Sequence, residues 1–229
     1  MSESAHPRSI RSFVTRAGRI TAAQERALAE LWPKYGVAPG PGLLERGQLF
    51  GRAAPCTLEI GFGNGENLAA LARQHPERDY LGVEVHRPGV GRLLLALEQH
   101  QLANVRVICH DAVEVLERQI APGSLGEILV LFPDPWPKKR HQKRRLLSPE
   151  VIAQLARLLV PGGEFRFASD NGSYAGETLL TILASGAFAW MAESARDWRV
   201  RPSDWPETRY ERKALSGNAK PSYLTFHRR

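Results

Sequence analysis

The sequence predicts an α/β fold with a doubly wound, mostly parallel sheet, and three observations predict it. From Thr57 onward, short apolar runs alternate with helical stretches, the sign of a parallel sheet covered on both faces. The first run passes into a glycine turn, Gly61-Phe-Gly63-Asn-Gly65, placed to open a helix. At 229 residues, 43% hydrophobic and 24% charged, the chain is long and apolar enough to enclose one sheet-and-helix core.

The first element is expected in an N-terminal appendage, residues 1–50. Its start is basic, with Arg8, Arg11, Arg16 and Arg19, and Thr21 and Gln24 form a capping box for an amphipathic helix through Trp32. Pro33 and the glycines between 36 and 42 are expected to end that helix. Strands follow at residues 57–60, 80–85, 105–109, 127–132 and 164–168, with helices after the first four and another after Gly172. Near the C-terminal end come a helix around 177–185, an apolar segment at 188–191 and a closing strand at 223–227, which predict an antiparallel hairpin.

Composition removes several classes of function. No apolar run is long enough to cross a bilayer, so a soluble, cytoplasmic protein is expected. Cys56 and Cys109 stand far apart without histidines at metal-ligand spacing; neither a disulfide framework nor a metal site is indicated, and both are expected to be buried in strands. The net charge of +7 points to a polyanion, and its distribution sharpens that reading. Lys138, Lys139, Arg140, Lys143, Arg144 and Arg145 crowd into eight residues without an acid among them, leaving the rest of the chain nearly neutral.

In a doubly wound sheet, ligands bind beyond the carboxyl ends of the strands. Those ends are acidic here: Glu59, Glu84, Asp111, Asp134 and Asp170. A dinucleotide loop would carry a third glycine where Glu66 stands, and a carboxylate there repels a pyrophosphate. S-adenosylmethionine has no phosphate, only a sulfonium and an amino group, so it suits acids beside Gly61, Gly63 and Gly65. Glu84 is placed to accept from ribose hydroxyls, and Asp111 either reaches an adenine amine or caps the next helix. Glu59 either touches the cofactor or orients the loop.

The stretch from Leu131 to Arg145, Leu-Phe-Pro-Asp-Pro-Trp-Pro followed by Lys-Lys-Arg-His-Gln-Lys-Arg-Arg, is the most informative in the chain. An acid stiffened by flanking prolines follows the fourth strand, and a basic run follows the acid. A charge run is ordinarily a solvated face; this one lies at the ligand end of the sheet, where it can clamp a polyanion. Trp136 can stack on a base or anchor packing.

With these segments in hand, the chain resembles the bacterial tRNA (guanine-N7)-methyltransferase family. The match runs from residues 10–16 and 31–36 through Glu59-Ile-Gly-Phe-Gly-Asn-Gly65, residues 82–91 and 111–116, to Phe132-Pro-Asp-Pro-Trp-Pro-Lys-Lys-Arg-His141 and residues 208–211. The resemblance implies a Rossmann-like class I methyltransferase domain at residues 51–229. It implies S-adenosylmethionine contacts at Glu59, Glu84, Asp111 and Asp134, and substrate contacts at Lys138, Asp170, Thr208, Arg209, Tyr210 and Glu211. RNA contact is implied along Arg140, His141, Gln142, Lys143, Arg144 and Arg145. The target implied is guanine 46 in the variable loop of tRNA, and no obligate protein partner is inferred. The departures are Asn171, where the family carries tryptophan, and a missing Arg-Gly and Leu-Gly-His continuation after Glu211.

The implied chemistry has a physical logic. Guanine N7 carries a lone pair and no proton, so attack on a sulfonium methyl needs alignment but no general base. Asp134 is expected to act electrostatically, and His86 and His141 are expected to move no proton. Either Asp170 or Glu211 can read the two neighbouring donors on the guanine edge. An RNA-binding module with a relic fold, or a methyltransferase for small molecules or proteins, are the competing readings; the intact loop and the basic run argue against them.

Overall fold

The computed structural model describes residues 12, 13 and 18–229. The basic arm positions Arg8, Arg11 and Arg16 lie outside the described residues. Thr21 and Gln24 cap α1, Ala22–Glu30, as a reciprocal box. The helix stops at Leu31, not at Pro33. Pro33 instead occupies the first turn of α2, Trp32–Tyr35, where its missing N–H costs nothing. β1, Gly36–Val37, then joins the sheet, and α3, Arg46–Phe50, leads into the core.

The alternating core follows as β2 Cys56–Ile60, α4 Glu66–Gln74, β3 Asp79–Val83, α5 Arg87–Gln99, β4 Val105–Ile108 and α6 Ala112–Arg118. It continues with β5 Leu125–Leu131, a 3₁₀ helix Lys139–Arg144, α7 Pro149–Leu158, β6 Leu159–Ser169 and α8 Gly172–Ala184. β7 Phe188–Trp190, α9 Arg196–Arg199, α10 Arg209–Ser216 and β8 Ser222–Arg228 complete it. No helix among the described residues is long and apolar enough to cross a membrane.

Among the described residues eight strands lie in the order β1-β4-β3-β2-β5-β6-β8-β7. All neighbours are parallel except β6 with β8 and β8 with β7. β2 and β3 are buried along their whole length, which is why they read as near-continuous runs. On one face Leu58, Ile128, Phe165 and Phe226 pack with Leu155 and Ile182 from the helices. On the other, Leu68, Leu93 and Leu97 meet Tyr80, Val107 and Leu129. Cys56 is buried as expected, whereas Cys109 lies just past β4 and is only partly buried. The closing hairpin forms, but β8 inserts between β6 and β7, so the strand latest in the chain is not the edge.

Candidate functional site

This topology collects the five acids. β4, β3, β2, β5 and β6 are consecutive neighbours, and Asp111, Glu84, Glu59, Asp134 and Asp170 sit at or just past their carboxyl ends in that spatial order. Five neighbouring strands span roughly 19 Å at ordinary spacing.

The glycine loop turns through three left-handed residues, Gly61, Gly63 and Gly65, with φ of 72°, 59° and 74°. Gly65 also admits no side chain: a Cβ there would lie 2.6 Å from Leu93 Cδ1 on α5. Glu84 holds the loop. Its Oε2 accepts from the Gly63 amide at 2.8 Å, and its Oε1 accepts from the Val85 and His86 amides at 2.7 and 2.9 Å. Asp111 caps α6, accepting from the Val113 amide at 2.9 Å through Oδ1, so the capping reading holds and its other oxygen carries any further contact.

Glu59 is buried and accepts from Asn67 Nδ2 at 3.0 Å. Asn67 Oδ1 is itself buried with no partner among the described residues. Burial, opposed by the Asn67 bond, pushes the Glu59 carboxyl up to about 7. Below about pH 4.5 the group is protonated folded or unfolded; between there and about 7 the unfolded chain has lost a proton that the folded one keeps. Stability should therefore fall as pH rises through this window, by up to about 3 kcal/mol, and then level off. Glu59→Gln keeps the Asn67 contact and is expected to flatten the slope, measured as urea midpoints at pH 5 and pH 8. Equal slopes in both proteins would refute a raised Glu59.

Asp134 sits at the crown of a strained arch. Phe132 and Trp136, on either side of Pro133-Asp134-Pro135, both take left-handed backbone, with φ of 52° and 44°, a cost of roughly 1–3 kcal/mol each. The Phe132 amide is tied to the Ala168 carbonyl on β6 at 2.8 Å. Arg145 pins the far side: its Nε–H donates to the Pro135 carbonyl at 3.0 Å, its Nη1 pairs with Glu177, and its guanidinium lies 4.8 Å over the Tyr174 ring. The Asp134 carboxylate is left exposed.

Arg145 therefore corrects one expectation. It is only 6% exposed and spends its charge inside the protein, so it drops out of the RNA-facing set. Lys138, just before the 3₁₀ segment, and Lys139, Arg140 and Lys143 on it are exposed, and Gln142 and Arg144 are partly so. Trp136 is engaged in packing: its Nε1–H donates to the Ser12 carbonyl at 3.1 Å, Arg144 lies 5.0 Å over its ring, and His141 meets it edge-on. Desolvation, with Arg140, Arg144 and Lys138 nearby, pushes the His141 imidazole below its ordinary value.

Past β6, Asp170 is exposed, and Asn171, the departure from the family's tryptophan, caps α8 by accepting from the Tyr174 amide at 2.9 Å. Thr208 caps α10, accepting from the Glu211 amide at 3.1 Å. Glu211 is the second correction. It is 2% exposed, accepting from the Tyr223 hydroxyl at 2.5 Å and pairing with Arg201 at 3.0 Å, so it is unavailable as a reader of the guanine edge. Arg209 and Tyr210 stay exposed, and the Tyr210 ring lies against Gly63, where an added Cβ would stand 3.1 Å from Cε2. Asn67, Glu177 and Arg201 escaped the sequence reading; only the position of Asn67 in the first turn after the glycine loop carried a signal.

The site residues that remain in reach are thus one carboxylate series, one exposed acid on an arch and one basic helix. A family described as "Putative methyltransferase" matches residues 53–223. A tRNA (guanine-N(7)-)-methyltransferase of Leifsonia xyli subsp. xyli (strain CTCB07) is 52% identical over 203 residues, 89% of this chain and 88% of that protein. Another, of Alkalilimnicola ehrlichii (strain ATCC BAA-1101 / DSM 17681 / MLHE-1), is 48% identical over 224 residues, 97% of this chain and 94% of its own. The solved 16S rRNA methyltransferase KamB has a TM-score of 0.56 at 19% identity, covering 80% of this chain and 92% of that one. The aminoglycoside resistance methyltransferase NpmB1 gives 0.53 at 14%, with 82% and 94% covered. At these identities the structural likeness speaks for the fold, a Rossmann-like class I methyltransferase sheet with an antiparallel C-terminal strand. The identity of half the residues over nearly the whole length goes further: the chain belongs to the family of tRNA (guanine-N(7)-)-methyltransferases.

Proposed function

We propose that this protein transfers a methyl group from S-adenosylmethionine to N7 of guanine 46 in the variable loop of tRNA, leaving 7-methylguanosine and S-adenosylhomocysteine. The observation that carries the reading is the row of carboxylates Asp111, Glu84, Glu59, Asp134 and Asp170 across five adjacent strand ends, with the basic 3₁₀ helix directly after Asp134. The residues present fit the donor. The site offers acceptors at the strand ends and, on α4, the orphaned Asn67 Oδ1; a sulfonium bearing an ammonium, two hydroxyls and an adenine amine is their complement. A Cβ on Gly61 would meet nothing within 4 Å, so the loop leaves room there.

When bound, S-adenosylmethionine supplies an electrophilic methyl group. In this reading Asp111 holds the adenine end through its second oxygen, and Glu84 takes the ribose hydroxyls on the lone pairs its backbone partners leave free. Asn67, held in place by the buried Glu59, offers its unpartnered Oδ1 to the amino group. Asp134 orients the base and stabilises the positive charge that develops on it, with no proton to remove. Asp170, one strand over, takes the guanine N1–H and N2 amine, and Lys138 contacts the nearest phosphate. Arg140, Lys143 and Arg144 grip the backbone further out.

Radiolabelled donor and unmodified tRNA transcripts test this directly, the product being mapped by the chain cleavage that N7-methylation permits. Label at the variable-loop guanine is expected; label elsewhere discards the target, and tight binding without label favours a binding-only protein. The grip has its own test. Replacing Arg140 and Lys143 by glutamine is expected to flatten the log–log salt dependence of tRNA affinity by roughly 1–2, at 0.7–0.9 per phosphate lost. An unchanged slope would remove these two side chains from the interface.

A further inference from the structure

The three consecutive residues Tyr210, Glu211 and Arg212 of α10 each reach a different part of the molecule. Tyr210 lies on Gly63 of the glycine loop. Glu211 is buried against Tyr223 on β8 and Arg201. Arg212 crosses to the other side, its Nη2 3.2 Å from Glu66 in the first turn of α4 and its Nη1 3.4 Å from Glu207. Successive helical side chains point about 100° apart, so one short helix spans from the sheet to α4 with the tyrosine between its two anchors. An eight-residue helix is too short to persist alone, and these contacts set where it stands.

Both partners of the outer anchor stand at positions the mechanism leaves unused. Glu66 takes the place of a dinucleotide loop's third glycine, and Arg212 opens the segment in which the chain departs from its family. Glu66, Gly63 and Gly65 belong to one turn, so whatever fixes α10 to Glu66 also fixes Tyr210 over the loop. We infer that Arg212 is a positioning residue: its ion pair with Glu66 latches α10 over the glycine loop, so that Tyr210 covers the methionine end of the methyl donor and slows its escape. The inference rests on the proposed cofactor site.

The latch is separable from a plain field effect, because its two members carry opposite charge. If charge alone acted on the cationic donor, losing Arg212 would tighten donor binding and losing Glu66 would weaken it. A latch requires both to weaken it. The measurement is calorimetric affinity for S-adenosylmethionine in the absence of tRNA, with S-adenosylhomocysteine as the ligand lacking the sulfonium charge and the dissociation rate of labelled S-adenosylmethionine beside them, in wild type, Arg212→Gln, Glu66→Gln and the exchanged pair Glu66→Arg with Arg212→Glu. Each single variant is expected to bind about two- to fivefold more weakly and release faster, the range of an exposed ion pair. The exchanged pair is expected to recover most of the loss, and thermal melting to remain near wild type. Tighter binding by Arg212→Gln, or no recovery in the exchanged pair, overturns the latch while leaving the cofactor reading intact. A wild-type protein that binds neither ligand overturns both.

Discussion

Asp134→Asn is expected to lower kcat/KM for methyl transfer by about 10²–10³-fold, the loss seen when a charge-stabilising group is removed at a reacting centre. Melting temperature and tRNA affinity should stay close to wild type. The expectation follows from how the residue is held. Its carboxylate is exposed and the arch beneath it is fixed by backbone geometry, prolines and Arg145, none of which asparagine disturbs. What asparagine removes is the negative charge beside a base that becomes cationic. Single-turnover rates at saturating donor and tRNA measure this, with donor affinity determined separately, since the same carboxylate is proposed to touch the cofactor. A variant with full turnover would dispose of the electrostatic role.

Arg145→Met should act in the opposite order, on stability first. Methionine keeps some of the stem's packing but strips the Pro135 carbonyl of its charged donor and the Tyr174 face of its cation. Glu177 is half exposed, so water softens its loss of a partner. The expected penalty is about 2–4 kcal/mol, or on the order of 5–15 °C in Tm for a chain of this size. A loosened arch displaces Asp134, so kcat should fall by roughly 10–100-fold. The salt slope of tRNA binding should not change, because a buried guanidinium neutralises no phosphate. Thermal melts and salt titrations of one variant separate the readings: a flatter slope with an unchanged Tm would return Arg145 to the RNA interface.

The contrast between Arg145 and its neighbours marks what could be read from sequence. Six cations in a row look alike as letters. What distinguishes the last is Glu177 and Tyr174, some thirty residues on, brought under it by α8. The burial of Glu211, one of the two acids the sequence offers for the guanine edge, is hidden for the same reason: it depends on Arg201 and Tyr223, which only the packed loop and β8 bring to it. The five central strands, by contrast, were legible because burial on both faces forces continuous apolar runs, and the acids at their ends were legible because chain position alone puts them there. β1 was missed because two residues carry no pattern. β8 was recognised as a strand but not as an insertion, since pairing order is decided by neighbours outside the strand itself.

That insertion bears on how the molecule is made. Among the described residues β7 has no sheet partner other than β8, and β6 has its free edge closed by β8. During synthesis the parallel half, β1 through β6, can assemble while β7 emerges with nothing to pair against. Phe188 can already meet Phe165, and Phe226 closes over both once residues 222–228 join the sheet. On a growing chain the parallel half precedes the sealing of the edge, and the interval between them is when β6 offers a bare strand to a chaperone or to another nascent chain.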